Sequence, residues 1–115
     1  MSNDRCLFCR IVVGDITAKK VYEDDAVVAF EDINPQAPTH VLVVPRKHIP
    51  SIDAMTDADA TIVGTVIARA AKIARDLRLQ DGYRLVANNG DAAGQTVFHI
   101  HFHLLGGRSF GWPPG

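Results

Sequence analysis

The sequence predicts an α+β protein in which a mainly antiparallel sheet carries one long and one short helix. Short β-branched runs between polar turns indicate strands, and one stretch with an apolar residue every three or four positions indicates the long helix. The chain has 115 residues, of which 47% are hydrophobic and 22% charged. This composition is typical of a globular protein, and the length suits a single domain, expected to span residues 1–115.

The first part of the chain is expected to contain the short helix and three strands. The helix is predicted at residues 7–13, ending at Gly14. Prolines and an asparagine place residues 32–38 in a loop. The run at residues 41–44 is typical of a strand buried on both faces. The predicted strands of this part are residues 21–22, 27–30 and 41–44.

The long helix follows, and its start is indicated by Thr56 and Asp59, which resemble a capping box. Gly82 is its predicted end. The apolar stripe of this helix consists of Ile62, Val66, Ala70, Ile73 and Leu77. A second stripe contains only small residues, Gly64, Ala68 and Ala71. It would pack either on the sheet or on another subunit, and the sequence leaves both open. The last two strands are predicted at residues 83–87 and 97–105.

Charge and composition exclude several kinds of partner. The formal net charge of −1 at pH 7 gives non-specific nucleic-acid binding no electrostatic support. No apolar run approaches the roughly 20 residues that a membrane helix needs, and residues 1–10 lack a signal-peptide core. Cys6 and Cys9 are too close together to crosslink the fold, which favours a reducing compartment. We therefore expect a cytoplasmic protein without a nucleic-acid or membrane partner.

Three histidines alternate with large apolar residues in the sequence HIHFHLL, residues 99–105. In a strand, alternate side chains share a face, so His99, His101 and His103 are expected to point to one side. Such a face can ligate a metal through a His-x-His pair. It can also present a nucleophilic imidazole assisted by its neighbours. An incidental polar face is the third explanation.

The loop before this motif favours the nucleophile. Its sequence, NNGDAAGQT at residues 88–96, offers amide and hydroxyl donors among glycines. Preorganised neutral donors of this kind stabilise the charge that develops on a phosphate. An ordinary polar connection has the same composition, but beside three histidines the loop is interpreted as an anion cradle.

The chain resembles the histidine triad (HIT) superfamily. HIHFHLL resembles the family motif His-x-His-x-His-x-x, and the likeness extends to DINPQAPTH at residues 32–40, PRKHI at 45–49 and GQTV at 94–97. The ending, GGR at 106–108 and WPPG at 112–115, is similar to the Hint branch of nucleoside phosphoramidase-like proteins. Gly111 departs from close relatives, which often carry a histidine there, and this difference bears on fine substrate preference.

This resemblance implies the HIT fold and a hydrolase that cleaves purine nucleoside 5′-phosphoramidates, such as AMP-NH2 or an AMP-lysine derivative, or related nucleoside monophosphate derivatives. His101 would be the nucleophile that forms a nucleotidyl-histidine. His99 and His103 would contact the phosphate region, with His103 near the leaving group, and His40 would orient the triad from behind. Asp32 would accept hydrogen bonds from the ribose. The implied substrate contacts are Asp32, Ile33, Asn88, Gly94, Gln95, Thr96, His101 and His103.

Taken alone, the pair Cys6 and Cys9 is compatible with a zinc site, with buried thiols or with redox chemistry. Some HIT proteins bind zinc with such a pair and two histidines, and the matching positions here are His48 and His99. The resemblance therefore implies a structural zinc in a closed Cys₂His₂ site. The chemistry itself would require no metal, because other Hint members lack the cysteines.

A homodimer is also implied. Trp112 in the terminal WPPG supports this expectation, because an exposed tryptophan on a short segment usually needs a covering surface. Two other functions remain open. One is a nucleotide-sensing protein whose chemistry is incidental, which steady-state turnover tests. The other is a metal-dependent hydrolase with the triad as ligands, which sensitivity to chelators tests.

Overall fold

A five-stranded antiparallel sheet with one helix on each face forms the framework of the protein. The computed structural model describes residues 5–115; the first four positions of the predicted domain lie outside the described residues. The elements in chain order are α1 (Leu7–Val12), β1 (Lys20–Glu23), β2 (Val27–Glu31), β3 (Thr39–Pro45), α2 (Ala60–Asp76), β4 (Tyr83–Val86) and β5 (Phe102–Gly106). The strand order is β1-β2-β3-β5-β4, and every neighbouring pair is antiparallel. The predicted α+β architecture is confirmed.

The two strands β2 and β3 are buried on both faces. In β2, Val28 and Phe30 pack with α1, whereas Val27 and Ala29 pack with α2. The apolar side chains of β3 likewise alternate between the core on the α1 side and the core on the α2 side. Because successive side chains of a strand point to opposite faces, α1 and α2 must cover opposite sides of the sheet. The continuous run at residues 41–44 predicted this double burial for β3.

α2 packs on the sheet through a stripe close to the predicted one. Its buried residues are Val63, Val66, Ala70, Ile73 and Ala74. The stripe begins at Val63 instead of Ile62, and Leu77 is 42% exposed because it follows the last helical residue. The predicted capping box is present, since the Asp59 carboxylate accepts a hydrogen bond from the Thr56 N–H at 3.0 Å.

The end of α2 differs from the prediction, which was wrong in placing it at Gly82. The helix ends at Asp76, and Arg78 adopts a left-handed conformation with φ 62°. The N–H of Arg78 donates to the Arg75 carbonyl and that of Leu79 to the Ala74 carbonyl, both at 3.0 Å. This is the Schellman arrangement, in which glycine usually holds the left-handed position. Because arginine holds it here, sequence reasoning passed over the stop.

β5 begins at Phe102, so the predicted strand at residues 97–105 was wrong in its first half. The segment before it is held otherwise, for example by the Ile100 N–H, which donates to the Ile49 carbonyl at 2.6 Å. The rule of alternating faces therefore applies to His103 but not to His99. The three histidines do not share one strand face.

The stripe of small residues on α2 faces away from the sheet. Gly64 and Ala68 are exposed, Ala71 is half-buried, and a Cβ at Gly64 would meet no atom within 4 Å. Packing of this stripe on the sheet is therefore excluded, and a subunit contact stays a prediction.

Within the described part of the chain, no helix has the length and apolar character needed to cross a membrane.

Candidate active site and metal cluster

Three imidazoles lie in a row on the α1 face of the sheet, where β3 and β5 are neighbours. His103 on β5 pairs with Leu42 on β3, and His40 lies two residues before Leu42 on the same face. His101 directly precedes β5. The centroid of the His103 ring lies 5.1 Å from that of His40 and 5.1 Å from that of His101. The register of two strands and the start of one of them thus bring these groups together.

His101 is held so that one ring nitrogen is free. Its Nδ1 lies 2.7 Å from the His99 carbonyl oxygen, which can only accept, so Nδ1 carries the proton and Nε2 keeps its lone pair. Phe8 of α1 packs edge-on against the ring, with centroids 5.0 Å apart at 86°. Burial lowers the pKa of His101, and the His99 carbonyl and Asp32 partly oppose this. Because burial outweighs both, the neutral form is favoured.

His103 has the opposite tautomer to His101, and His40 determines it. The Gln36 N–H donates to Nδ1 of His40 at 3.0 Å, so neutral His40 has its proton on Nε2. That Nε2 lies 2.9 Å from Nδ1 of His103, which must accept, so Nε2 of His103 carries a proton. Burial, with His101 and His40 nearby, lowers the pKa of His103 to about 4. Burial also lowers the pKa of His40, against the Asp32 carboxylate 3.5 Å away.

A cavity of about 660 Å³ opens beside His101 and His103. We call it the nucleotide cavity after the ligand that the sequence resemblance predicts. The predicted contacts Asp32, Ile33 and Thr96 line it. Its apolar wall consists of Leu7, Phe8, Ile11, Phe30, Leu42 and Val97, among others. Sequence reasoning had assigned no site role to this wall. The only signal was the apolar face of α1, which equally indicated core packing.

The other predicted contacts lie in the loop before the triad. Gly94 has φ +94°, and a Cβ there would lie 3.9 Å from Nδ2 of Asn88, which lines a second cavity beyond His103. Gln95 is 2% exposed. Its Oε1 accepts from the Gly90 N–H at 2.9 Å and its Nε2 donates to the Pro50 carbonyl at 2.8 Å. The Gln95 side chain therefore holds the loop together, and its contact with phosphate stays a prediction.

Away from the nucleotide cavity, the ligand atoms of Cys6, Cys9, His48 and His99 all lie within 4.8 Å of one another. Nδ1 of His48 and Nδ1 of His99 are 3.3 Å apart. Sγ of Cys9 lies 3.3 Å from the first and 3.5 Å from the second of these nitrogens. Sγ of Cys6 lies 3.4 Å from Nδ1 of His99. In a tetrahedral zinc site, bonds of about 2.3 Å to sulfur and about 2.0–2.1 Å to nitrogen separate a sulfur from a nitrogen by about 3.6 Å and two nitrogens by about 3.3 Å. The distances in the cluster are close to these values.

The surroundings of the cluster also suit a metal. Nε2 of His99 lies 2.8 Å from the Pro45 carbonyl, so this nitrogen carries the proton and Nδ1 keeps the lone pair that a metal needs. Cys6 caps α1 and accepts from the Cys9 N–H at 3.3 Å. The four residues can therefore hold a metal, consistent with zinc. Both ring nitrogens of His99 are engaged here, and its side chain does not line the nucleotide cavity. Its carbonyl acts on that cavity indirectly, by holding His101.

Known proteins share both the sequence and this structure. The sequence model of the HIT domain family matches residues 13–110. An uncharacterized HIT-like protein of Synechocystis sp. is 50% identical over 109 residues, covering 95% of this chain and 96% of the relative. A HIT family hydrolase from Legionella pneumophila has 50% identity and a TM-score of 0.95, over 96% of this chain and all of its own (100%). A histidine triad nucleotide-binding protein from Candida albicans has 32% identity and a TM-score of 0.80, over 96% of this chain and 84% of its own. The chain therefore belongs to the HIT domain family, has the HIT fold and is a HIT family hydrolase-like protein.

Proposed function

We propose that this protein hydrolyses purine nucleoside 5′-phosphoramidates, or related nucleoside monophosphate derivatives, through a nucleotidyl intermediate on His101. The observation that carries this proposal is the pair of opposite tautomers at one cavity. His101 presents an Nε2 lone pair, and His103 beside it presents an Nε2–H. Relatives named as a hydrolase and as a nucleotide-binding protein support the same conclusion.

In the first step, Nε2 of His101 attacks the α-phosphorus and the P–N bond breaks. The amine leaves with the bonding electron pair and a proton that solvent supplies, while Nε2–H of neutral His103 donates a hydrogen bond to the leaving nitrogen. The phosphorylated ring of His101 becomes cationic, because Nδ1 keeps its proton, and the His99 carbonyl at 2.7 Å stabilises this charge. In the second step, water attacks the phosphorus, His101 leaves as neutral imidazole, and one proton returns to solvent.

The remaining site residues would bind the nucleotide. We assign the ribose hydroxyls to the Asp32 carboxylate and the base or sugar to Ile33, which is fully exposed at the mouth of the nucleotide cavity. Thr96 would donate to a phosphate oxygen. Asn88 and Gly94 would lie on the leaving-group side, and Gln95 would act by holding the loop. Neutral donors that are already in place stabilise developing charge without reorganisation.

Rapid quench of the wild type with AMP-NH2, followed by mass spectrometry, tests the intermediate. We expect one AMP on the peptide that contains His101. In the His101→Ala variant, steady-state turnover should fall by several orders of magnitude, because the covalent route is removed, while nucleotide binding persists. Near-normal turnover of a correctly folded His101→Ala variant would exclude the mechanism. A wild type that forms the adduct but fails in steady-state turnover would instead support a nucleotide sensor.

One structural zinc would be held by Cys6, Cys9, His48 and His99. When bound, it would crosslink the start of α1 to the segment before β5. Of the triad, only His99 belongs to this cluster. The ligand atoms of Asp32, His40 and His103 also lie within 4.8 Å of one another. However, the hydrogen bond between His40 and His103 already uses two of these atoms. This bond favours covalent catalysis over the metal-dependent alternative, in which chelators would abolish turnover.

We also infer a homodimer in the cytoplasm. The exposed small residues Gly64 and Ala68 border Ile67, which is 45% exposed, and residues 60–68 of α2 carry no charged side chain. Trp112 is 84% exposed near the end of the chain. Exposed apolar groups of this kind are typical of surfaces that another subunit covers.

A further inference from the structure

A second cavity, which we call the arginine cavity, opens on the far side of His103. Its volume is about 270 Å³. Its lining includes Arg84, Asn88, Arg108 and Phe110, together with His40 and His103. His103 lines both this cavity and the nucleotide cavity. A nucleoside in the first cavity, with its phosphorus at His101 and His103, would therefore direct its leaving group toward the second.

The two guanidinium groups of this cavity are held in place. Nη2 of Arg84 donates to the Gly111 carbonyl at 2.8 Å. Nε of Arg108 donates to the Gln36 carbonyl at 3.1 Å. Both groups also lie over the Phe110 ring, with Cζ at 5.1 Å from the centroid for Arg84 and at 4.2 Å for Arg108. Side chains fixed in this way lose little conformational entropy when they bind a ligand.

These arginines have no acidic partner in the part of the chain that the structure describes. The carbonyls and the ring that hold them are neutral, and no carboxylate lines the arginine cavity. By contrast, Arg46 and Arg69 each form an ion pair with a carboxylate, at 2.9 and 2.7 Å. A cavity with two uncompensated positive charges attracts anions and disfavours cations.

We propose that the arginine cavity receives the leaving group and that the enzyme prefers leaving groups bearing an anion, either a carboxylate or a phosphate. This inference rests on the proposed function, because it assumes cleavage at a phosphorus between the two cavities. Arginine hydrogen bonds to carboxylate or phosphate are charge-assisted and often bidentate. Arg84 and Arg108 are thus the residues that select the leaving group.

Four adenosine 5′-phosphoramidates of similar size test this selection. Their amines are β-alanine with a carboxylate, 2-aminoethyl phosphate with a phosphate, β-alaninamide without charge, and 1,3-diaminopropane with a cation. We expect kcat/KM for the anionic amines to exceed that for β-alaninamide by about tenfold, or ~1.4 kcal/mol, and the cationic amine to be the poorest. An advantage for either anion supports the inference, and the larger one identifies the group.

The variants Arg84→Gln and Arg108→Gln, singly and together, separate charge recognition from the intrinsic reactivity of each amine. The ratio between anionic and neutral substrates should fall toward one in the double variant. Because each ratio comes from one preparation, partial loss of folded enzyme cancels. Arg75→Gln is the matched control, since Arg75 is exposed on α2 on the opposite face of the sheet, and it should keep the wild-type ratio.

Two results would overturn this inference: a wild type without preference for anionic amines, or a double variant that keeps the preference. AMP-NH2 distinguishes such a failure from failure of the proposed function, because its leaving group is ammonia and needs no contact with the arginines. A wild type that turns over AMP-NH2 without preferring anionic amines refutes only the assignment of the arginine cavity. A wild type that turns over neither AMP-NH2 nor any of the four larger phosphoramidates refutes the proposed function itself.

Discussion

Phe8 is expected to act on both stability and catalysis, because it belongs to the core and touches the proposed nucleophile. It is 4% exposed and packs edge-on against His101 at 5.0 Å and against Phe30 at 5.4 Å. In Phe8→Ala, the core loses a large side chain and the His101 ring loses the group that supports its side. The variant should therefore melt at a lower temperature and turn over more slowly even when it is fully folded.

The size of both effects follows from the structure. Removing a buried phenylalanine costs about 3–5 kcal/mol. With 115 residues, each contributing about 2.1 cal/mol/K, the entropy of unfolding is ~0.24 kcal/mol/K. The melting temperature should thus fall by about 12–20 °C. Misplacing a reactive group by about 1 Å can cost about 10²-fold in rate. Because the hydrogen bond to His99 remains, we expect kcat to fall by about 10- to 100-fold.

Ile73→Ala provides the control for this measurement. Ile73 is 3% exposed and packs on the α2 face of the sheet, away from the histidines. Its loss should cost a comparable 2–5 kcal/mol, roughly, and leave kcat near that of the wild type. Thermal melts give the stability of each variant, and kcat for AMP-NH2 is measured at a temperature where all variants are folded. Equal kcat values for Phe8→Ala and Ile73→Ala would show that Phe8 is only a core residue.

Two further predictions concern the metal cluster and the subunit contact. Protein purified without chelators should contain about one zinc per chain, and Cys9→Ser should lose it. This variant should melt at a lower temperature but keep most of its kcat, since no ligand side chain lines the nucleotide cavity. A metal-free wild type would contradict the prediction. Light scattering should give about twice the 12.5 kDa of one chain, and Ala68→Glu should give a monomer, because it places a charge at the end of the uncharged residues 60–68 of α2. Gln80→Glu, which adds the same charge at an exposed position beyond the helix, should stay dimeric, and a monomeric wild type would refute the contact.

The sequence by itself determined the elements whose signals are local. The β-branched runs predicted β2 and β3, and the Asp59 carboxylate bonds to the Thr56 N–H as the capping-box pattern requires. Alternation of side chains along a strand is a property of the backbone, so it predicted that both faces of β3 are buried. The family motifs likewise identified the histidines and cysteines of the candidate sites, since residue type and spacing are properties of the sequence.

Element ends were less predictable, because they depend on backbone conformations that other residues decide. Arg78 takes a left-handed conformation usually given to glycine, which ends α2 before Gly82. His99 lies outside β5, because the chain before Phe102 is held by contacts such as the hydrogen bond from Ile100 to Ile49. Such contacts join residues about fifty positions apart, and no local pattern reports them.

Only the tertiary structure decided how the histidines differ. Their protonation is set by backbone groups: the His99 carbonyl fixes His101, and the Gln36 N–H fixes His40 and through it His103. Three chemically identical side chains thereby receive different partners at their nitrogens, and a sequence motif cannot distinguish them. The same holds for the metal cluster, where Cys6 and His99 are 93 residues apart in sequence, because distance in space follows from how the sheet and α1 pack.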